Sequence, residues 1–253
     1  MKTNGGFLLQ SSLKLVLAFT ICFGDVTAQD STKQAATALQ VLPRIHSAGY
    51  FPFSGAYLNH NPVFDVNVFY EKRSVGFFVY QSLDLKDRHS YVNYFQPGVF
   101  VKWQMHSTFK ARAFFGYIFN QTHGFRDGDS DYYTAVTLYW DPVKHLSVQN
   151  TVLFYDYNVK RKLANRLLLA ITYPKFKTEI YLWDRTVLED KKHAISASLA
   201  LTFPIIRINE KTSVTLTSAY MRYLTSFRPG FALEDGFIFT LAVPIDPLAR
   251  RGP

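Results

Sequence analysis

Cysteine is almost missing from this chain: its 253 residues include one, Cys22. One thiol cannot form an internal bridge, so a disulfide-stapled scaffold is excluded. No apolar run reaches the roughly 18 residues that a membrane-crossing helix requires, which excludes a multi-helix membrane protein. The chain also lacks cysteine–histidine metal spacings, a glycine-rich phosphate loop after a strand, and a nucleophile elbow. Its motifs therefore name no catalytic residue, no metal ligand and no cofactor. What it has in abundance is aromatic surface, with 23 Phe, 16 Tyr and 3 Trp. The hydrophobic fraction, 48%, is too high for a disordered chain.

The first residues read as an export signal. Lys2 and Lys14 supply positive charge, Leu15 to Gly24 is apolar, and Val26-Thr27-Ala28 ends on a small residue. Cleavage is expected after Ala28, which would remove Cys22 with the signal. Residues 29–47 are Ala- and Gln-containing and poor in aromatics, unlike the rest of the chain. Ser31 could cap a short helix to about Val41, ending before Pro43, and the segment is read as a leader or short periplasmic segment. Residues 48–244 form the main body, and 245–253 a basic tail carrying Arg250 and Arg251.

The main body has a period of two. Phe64, Val66, Val68 and Tyr70 alternate with Asp65, Asn67 and Phe69; Phe109, Ala111, Ala113, Phe115 and Tyr117 alternate with Lys110, Arg112 and Gly116. Ile195, Ala197, Leu199, Leu201 and Phe203 repeat the pattern against Ser196, Ser198, Ala200 and Thr202. Successive side chains on a strand point to opposite faces, so each segment has one greasy and one mixed face. Twelve strands are expected, within a range of ten to fourteen, at about 48–58, 63–71, 74–83, 91–104, 107–120, 131–140, 145–157, 162–173, 176–186, 192–206, 211–225 and 235–244. Tight turns such as Glu71-Lys72-Arg73-Ser74 and Tyr173-Pro174-Lys175 alternate with longer polar links, except that the links at 59–62 and 157–161 are read as short.

The aromatic residues gather at strand ends. Trp103, Phe109, Trp140, Tyr173 and Phe176 fall beside tight turns, and Tyr94, Tyr117, Phe119, Tyr132 and Tyr155 toward the longer loops. Amphipathic rings collect where a barrel meets lipid headgroups. With the signal, the alternation and the loop lengths, the chain resembles the broad class of bacterial outer-membrane, porin-like β-barrels. The resemblance implies an all-β fold, a single antiparallel transmembrane barrel, in contact with outer-membrane lipid. Phe64, Val66, Val68, Phe109, Phe115, Leu167, Leu169, Ile171, Leu199, Leu201 and Phe237 are expected to face that lipid. One feature departs from the class, whose last strand usually ends on an aromatic residue: here Val243 is followed by Pro244-Ile245-Asp246-Pro247.

Charge on the opposite face is the main functional clue. Asp65, Glu71, Lys102, Lys110, Arg112, Arg166, Lys177 and Glu179 are expected to point into the barrel, because a basic residue facing mid-bilayer lipid costs about 2–4 kcal/mol. They are candidate pore-lining residues, and Lys102, Lys110, Arg112 and Lys177 would form a basic constriction at the tight-turn end. Paired internal charges sealing a narrow barrel are the alternative, since about eight strands fill their own interior and about sixteen leave a channel.

Other patterns are weak. His46-Ser47, His89-Ser90 and His106-Ser107 suggest a hydrolase pair, but neighbours on a strand face opposite ways. Asp127-Gly128-Asp129-Ser130-Asp131 opens like a calcium loop, but Tyr132 and Leu138 stand where Gly and Glu belong. A net charge of +9 could suggest nucleic acid, but export and strand-borne charge argue against such a partner. The expected function is non-enzymatic passage of small polar solutes with a bias toward anions. The alternatives are a structural or adhesin-like barrel with a plugged lumen and a lipid-modifying hydrolase. Solute and oligomeric state are not readable from this sequence.

Overall fold

The computed structural model describes residues 37–51, 56–90, 92–120, 131–155, 161–209, 212–227 and 235–247, and none of them is helical. The expected signal, the possible calcium loop at 127–130 and the Arg250-Arg251 tail lie outside the described residues. The strands are β1 Thr37–His46, β2 Gly49–Phe51, β3 Ala56–Asn59, β4 Val63–Lys72, β5 Val75–Asp84, β6 Tyr94–His106 and β7 Phe109–Asn120. They continue as β8 Asp131–Val143, β9 Leu146–Tyr155, β10 Lys162–Tyr173, β11 Phe176–Val187, β12 Lys192–Arg207, β13 Ser213–Tyr223 and β14 Gly236–Ala242. All but β2 and β3 close into one antiparallel barrel of twelve strands, in which each strand pairs with its sequence neighbours and β14 returns to β1. Closure gives each barrel strand a neighbour on both sides, although β14 meets β1 over only a short register.

The first strand lies upstream of its expected place. Residues 37–46, read from sequence as leader or helix, form β1 and pair with β4 from Thr37↔Lys72 to His46↔Val63. Residues 48–58, expected to be the first strand, instead contribute the small hairpin β2–β3 between β1 and β4. The link at 59–62 is therefore only the end of a longer connection. β1 was hidden because its alternation is weak: Ala38, Gln40, Leu42, Arg44 and His46 share one face, and Pro43 interrupts the other. Pro43 is tolerated beside the thin β1–β14 seam, where the register holds only Arg44↔Ala242, Ile45↔Leu241 and His46↔Thr240. Ile245, read as part of the tail, extends that seam by exchanging two backbone hydrogen bonds of 2.8 Å with Val41.

The greasy faces point outward, as the alternation predicts. Phe115, Leu167, Ile171, Leu199, Leu201 and Phe237 are exposed, and so are Trp103, Trp140, Tyr173, Phe176 and Tyr132 at the strand ends. Tyr94 differs from its expected place in the aromatic belt: it is buried inside the barrel against Val63, Tyr80 and Val92. Tyr155 also turns inward, packing beside the buried clusters around Trp183 and Phe78. Their strands were read correctly, but either face of a strand end can carry a ring.

Inward rings find room above glycines. Gly98 and Gly116 are register partners. A Cβ on Gly98 would meet Phe78 Cζ at 2.5 Å and the Phe115 carbonyl at 2.8 Å, and one on Gly116 would meet the Tyr133 hydroxyl at 2.5 Å. Phe78 packs with Phe69, Phe114 and Tyr133 at ring-centroid separations of 5.8, 5.7 and 6.3 Å. Gly98→Val should displace this layer and destabilise the barrel by about 1–3 kcal/mol, the usual effect of overpacking. A shift in urea midpoint in detergent measures it. Val99→Ala, on the exposed outer face, should move that midpoint far less.

Candidate functional site

Burial inside the barrel follows a gradient. At the long-loop end, Val63, Asp65 and Ser82 are fully buried, and His46, Tyr80, Tyr94, Arg185, Ser196, Met221 and Tyr223 are nearly so. At the tight-turn end, inward Glu71, Lys102 and Arg112 keep 19–29% exposure, and Lys177 keeps 41%. The inner wall is thus more tightly packed in the long-loop half, and the cations expected to form a basic constriction lie in the more open half.

Asp65 is the centre of the packed half. Its carboxylate accepts hydrogen bonds from Arg44 Nε at 2.7 Å, Arg44 Nη2 at 3.1 Å and the Tyr80 hydroxyl at 3.0 Å. His46 Nε2 lies 2.7 Å from the same carboxylate, and His46 Nδ1 lies 2.7 Å from Thr240 Oγ1. A carboxylate only accepts, so Nε2 carries a proton, and a neutral ring accepts the threonine hydroxyl at Nδ1. This single imidazole joins β4 to β14 through β1. Ser47 is not its partner, since Ser47 Oγ accepts from the Phe239 backbone N–H at 3.0 Å. Asp65 was expected to line a pore; it is a buried clasp at the seam.

Asp84 ties the mouth together above this clasp. Asn59 and Asn61 donate to Oδ2 at 2.5 and 3.0 Å, and the Lys86 and Asp87 backbone N–H groups to Oδ1 at 2.8 and 2.9 Å. Asn59 also reaches Ser90 Oγ at 3.0 Å. The links on either side of β4 and β5 are thereby held to each other. At another point of this end, Arg161 Nε donates to Glu189 Oε1 at 2.8 Å, which holds the Glu189 carboxyl below its ordinary range.

The remaining expected residues lie on the inner wall in separate groups. Glu71 sits between Lys102, which donates to Oε1, and Arg112, whose Nη2 is 3.3 Å from Oε2. One carboxylate therefore faces two cations. The Arg112 guanidinium also lies 4.6 Å from the Phe100 ring centre and 5.6 Å from that of Tyr139, within cation–π range of both. Lys110 pairs with Asp141 at 3.6 Å at the rim, and Lys177 with Glu179 at 2.7 Å. Arg166 donates to Thr151 Oγ1 at 3.0 Å and lies over Trp183. The four cations expected to form one ring are thus split among three carboxylates.

Among the described residues, the sequence reading missed the inward cations Arg44, Arg185 and Lys162. Arg44 was lost with β1. Arg185 and Lys162 were within reach of the alternation, which continues from Lys177 and Glu179 through Tyr181 and Trp183 to Arg185, and backward from Arg166 through Ala164 to Lys162. Arg185 donates to the Tyr223 hydroxyl at 3.3 Å, and Lys162 lies 5.7 Å from the Tyr155 ring centre.

An all-antiparallel closed ring with charge on its inner wall and apolar side chains outside has counterparts among solved structures. The KdgM porin matches with a TM-score of 0.53 at 8% identity, over 83% of this chain and 98% of that one. The NanC porin matches with a TM-score of 0.54 at 12% identity, over 81% and 98%. This chain has the porin fold. A structure of the KdgM porin in complex with disordered oligogalacturonate matches similarly, with a TM-score of 0.52 at 8% identity, over 83% and 98%. Identities this low carry the fold and no residue assignment. No protein-family model matches the chain, and no curated protein matches it in sequence.

Proposed function

We propose that this protein is a bacterial outer-membrane channel that lets small polar solutes pass passively, with a bias toward anions. The observation that carries the reading is the inner wall of the open half, where Lys102 and Arg112 share the single carboxylate of Glu71. An excess cation between low-dielectric walls raises the local positive potential and the concentration of anions. The porin fold supports the same reading, and the KdgM porin's oligogalacturonate is a polyanion. Reconstitution in a planar bilayer tests it. We expect discrete conductance steps and a reversal potential displaced toward chloride in a potassium chloride gradient. Lys110→Glu combined with Arg112→Glu should move that potential toward potassium. An unchanged potential in a folded double mutant would reject the bias and leave both residues as internal ion-pair partners.

A second reading rests on the buried long-loop half. Asp65 and its partners, with the loops tied at Asp84, fill that sector of the inner wall. A barrel whose packing shuts the lumen would act through its outer loops as a structural or adhesin-like protein. Absence of conductance from folded, reconstituted protein would favour this reading.

A further inference from the structure

The outer wall is not uniform. On β4 to β8 it is almost entirely aliphatic and aromatic, whereas on β9 to β13 it carries polar and charged side chains. Asp184 lies between Trp183 and Arg185, both buried inside, and therefore points outward. Arg222 points outward for the same reason, between buried Met221 and Tyr223, and Ala197 does so between Ser196 and Ser198. Asp184 is register partner of Asn165, whose Oδ1 accepts from Asn150 Nδ2 at 2.8 Å. On the same chain His193 Nδ1 lies 3.5 Å from its carboxylate. Arg222 remains 69% exposed with Asp235 3.8 Å away.

These positions are related by the tilt of the strands. The hydrogen-bonded row from Asp184 passes through Ile195 on β12, and Leu182, Ala197 and Arg222 form the next row. At a tilt of roughly 40°, a level line crosses about one residue per strand relative to such a row. Asp184 on β11, Ala197 on β12 and Arg222 on β13 therefore lie at about one depth, with the small residue in the middle.

We propose that this face binds a second copy of the chain about a two-fold axis parallel to the membrane normal and passing by Ala197. That operation brings the β11 side of one copy against the β13 side of the other, so Asp184 of each copy meets Arg222 of its mate in two reciprocal pairs. The methyl group of Ala197 lets the two walls approach closely, and a two-fold contact requires such self-complementarity. A lipid headgroup fits less well: phosphate would meet Asp184 and Asp235 as well as Arg222. The inference rests on the outer-membrane reading of the barrel and is independent of conduction.

Cross-linking tests it with the full chain in a Cys22→Ser background, in membranes, with folding checked by heat-modifiable gel mobility. Failure of the protein to fractionate with membranes would count against the membrane reading itself. In membrane-inserted protein, Ala197→Cys should give a disulfide-linked dimer on mild oxidation. Val99→Cys, six strands away around the ring on exposed β6, should not. Asp184→Arg or Arg222→Asp, added singly to Ala197→Cys, should each abolish the dimer, and both together should restore it. Equal cross-linking at positions 197 and 99, no dimer from Ala197→Cys, or no rescue by the double exchange would overturn the proposal. Loss of co-purifying anionic lipid from Arg222→Asp with no dimer in any variant would assign the face to lipid instead.

Discussion

Asp65→Ala should be the most damaging single change inside the barrel. The substitution leaves Arg44 and His46 in their buried setting without the carboxylate that accepts from both. Removing one partner of a buried charged pair typically costs about 3–5 kcal/mol, because the remaining charge keeps its desolvation penalty. The effect concentrates at the β1–β14 seam, which has three register pairs and one further bridge. Folded yield, followed by gel mobility and by the urea midpoint in detergent, should fall sharply. Asp65→Asn keeps an acceptor and should lose less. If Asp65→Ala refolds with the native midpoint, the clasp contributes little to closure. Arg44→Met in the same background should recover part of the loss, since it removes the orphaned charge.

Leu169→Arg should produce the largest effect on the outer wall. Leu169 lies between the buried, inward Leu168 and Ala170 and pairs with Val148 and Ile180 on its neighbours. It therefore lies on the outer wall near the middle of β10. Arginine at the bilayer midplane costs about 2–4 kcal/mol, so insertion into phosphatidylcholine vesicles should be impaired by that amount. Thr202 faces the lumen, with its hydroxyl 2.8 Å from that of Thr217, and Thr202→Ser should insert normally. Equal behaviour of the two variants would mean that the face beside Leu169 does not meet hydrocarbon.

The inner and outer faces were legible because the alternation has a period of two, and a slip of one residue would exchange them throughout a strand. Asp65, Glu71, Lys102, Lys110, Arg112, Arg166, Lys177 and Glu179 were assigned to the interior on that basis, and each lies on an inward position of its strand. Their grouping was not legible. Lys102 and Arg112 are register partners, and Glu71 joins them from β4 across β5. Such a contact depends on stagger around the ring, which no single strand encodes. The His46–Asp65 contact was beyond reach for another reason: in Thr37–His46 the outer Leu39, Val41 and Ile45 are interrupted by Pro43, and Ala38 and Leu42 on the inner face blur the alternation that would announce a strand.

What the sequence by itself determined is the alternation: strand after strand with one apolar and one mixed face, and turns short on one side. Those are local properties, set by the pleat and by side-chain volume. The closure of twelve strands, the recruitment of β1 from an apparent leader and the burial of Asp65 were decided only in the tertiary structure. Each depends on which strands become neighbours, and β1 meets β14 only when the last strand returns to the first across 194 residues of chain, as the contact of His46 with Thr240 records.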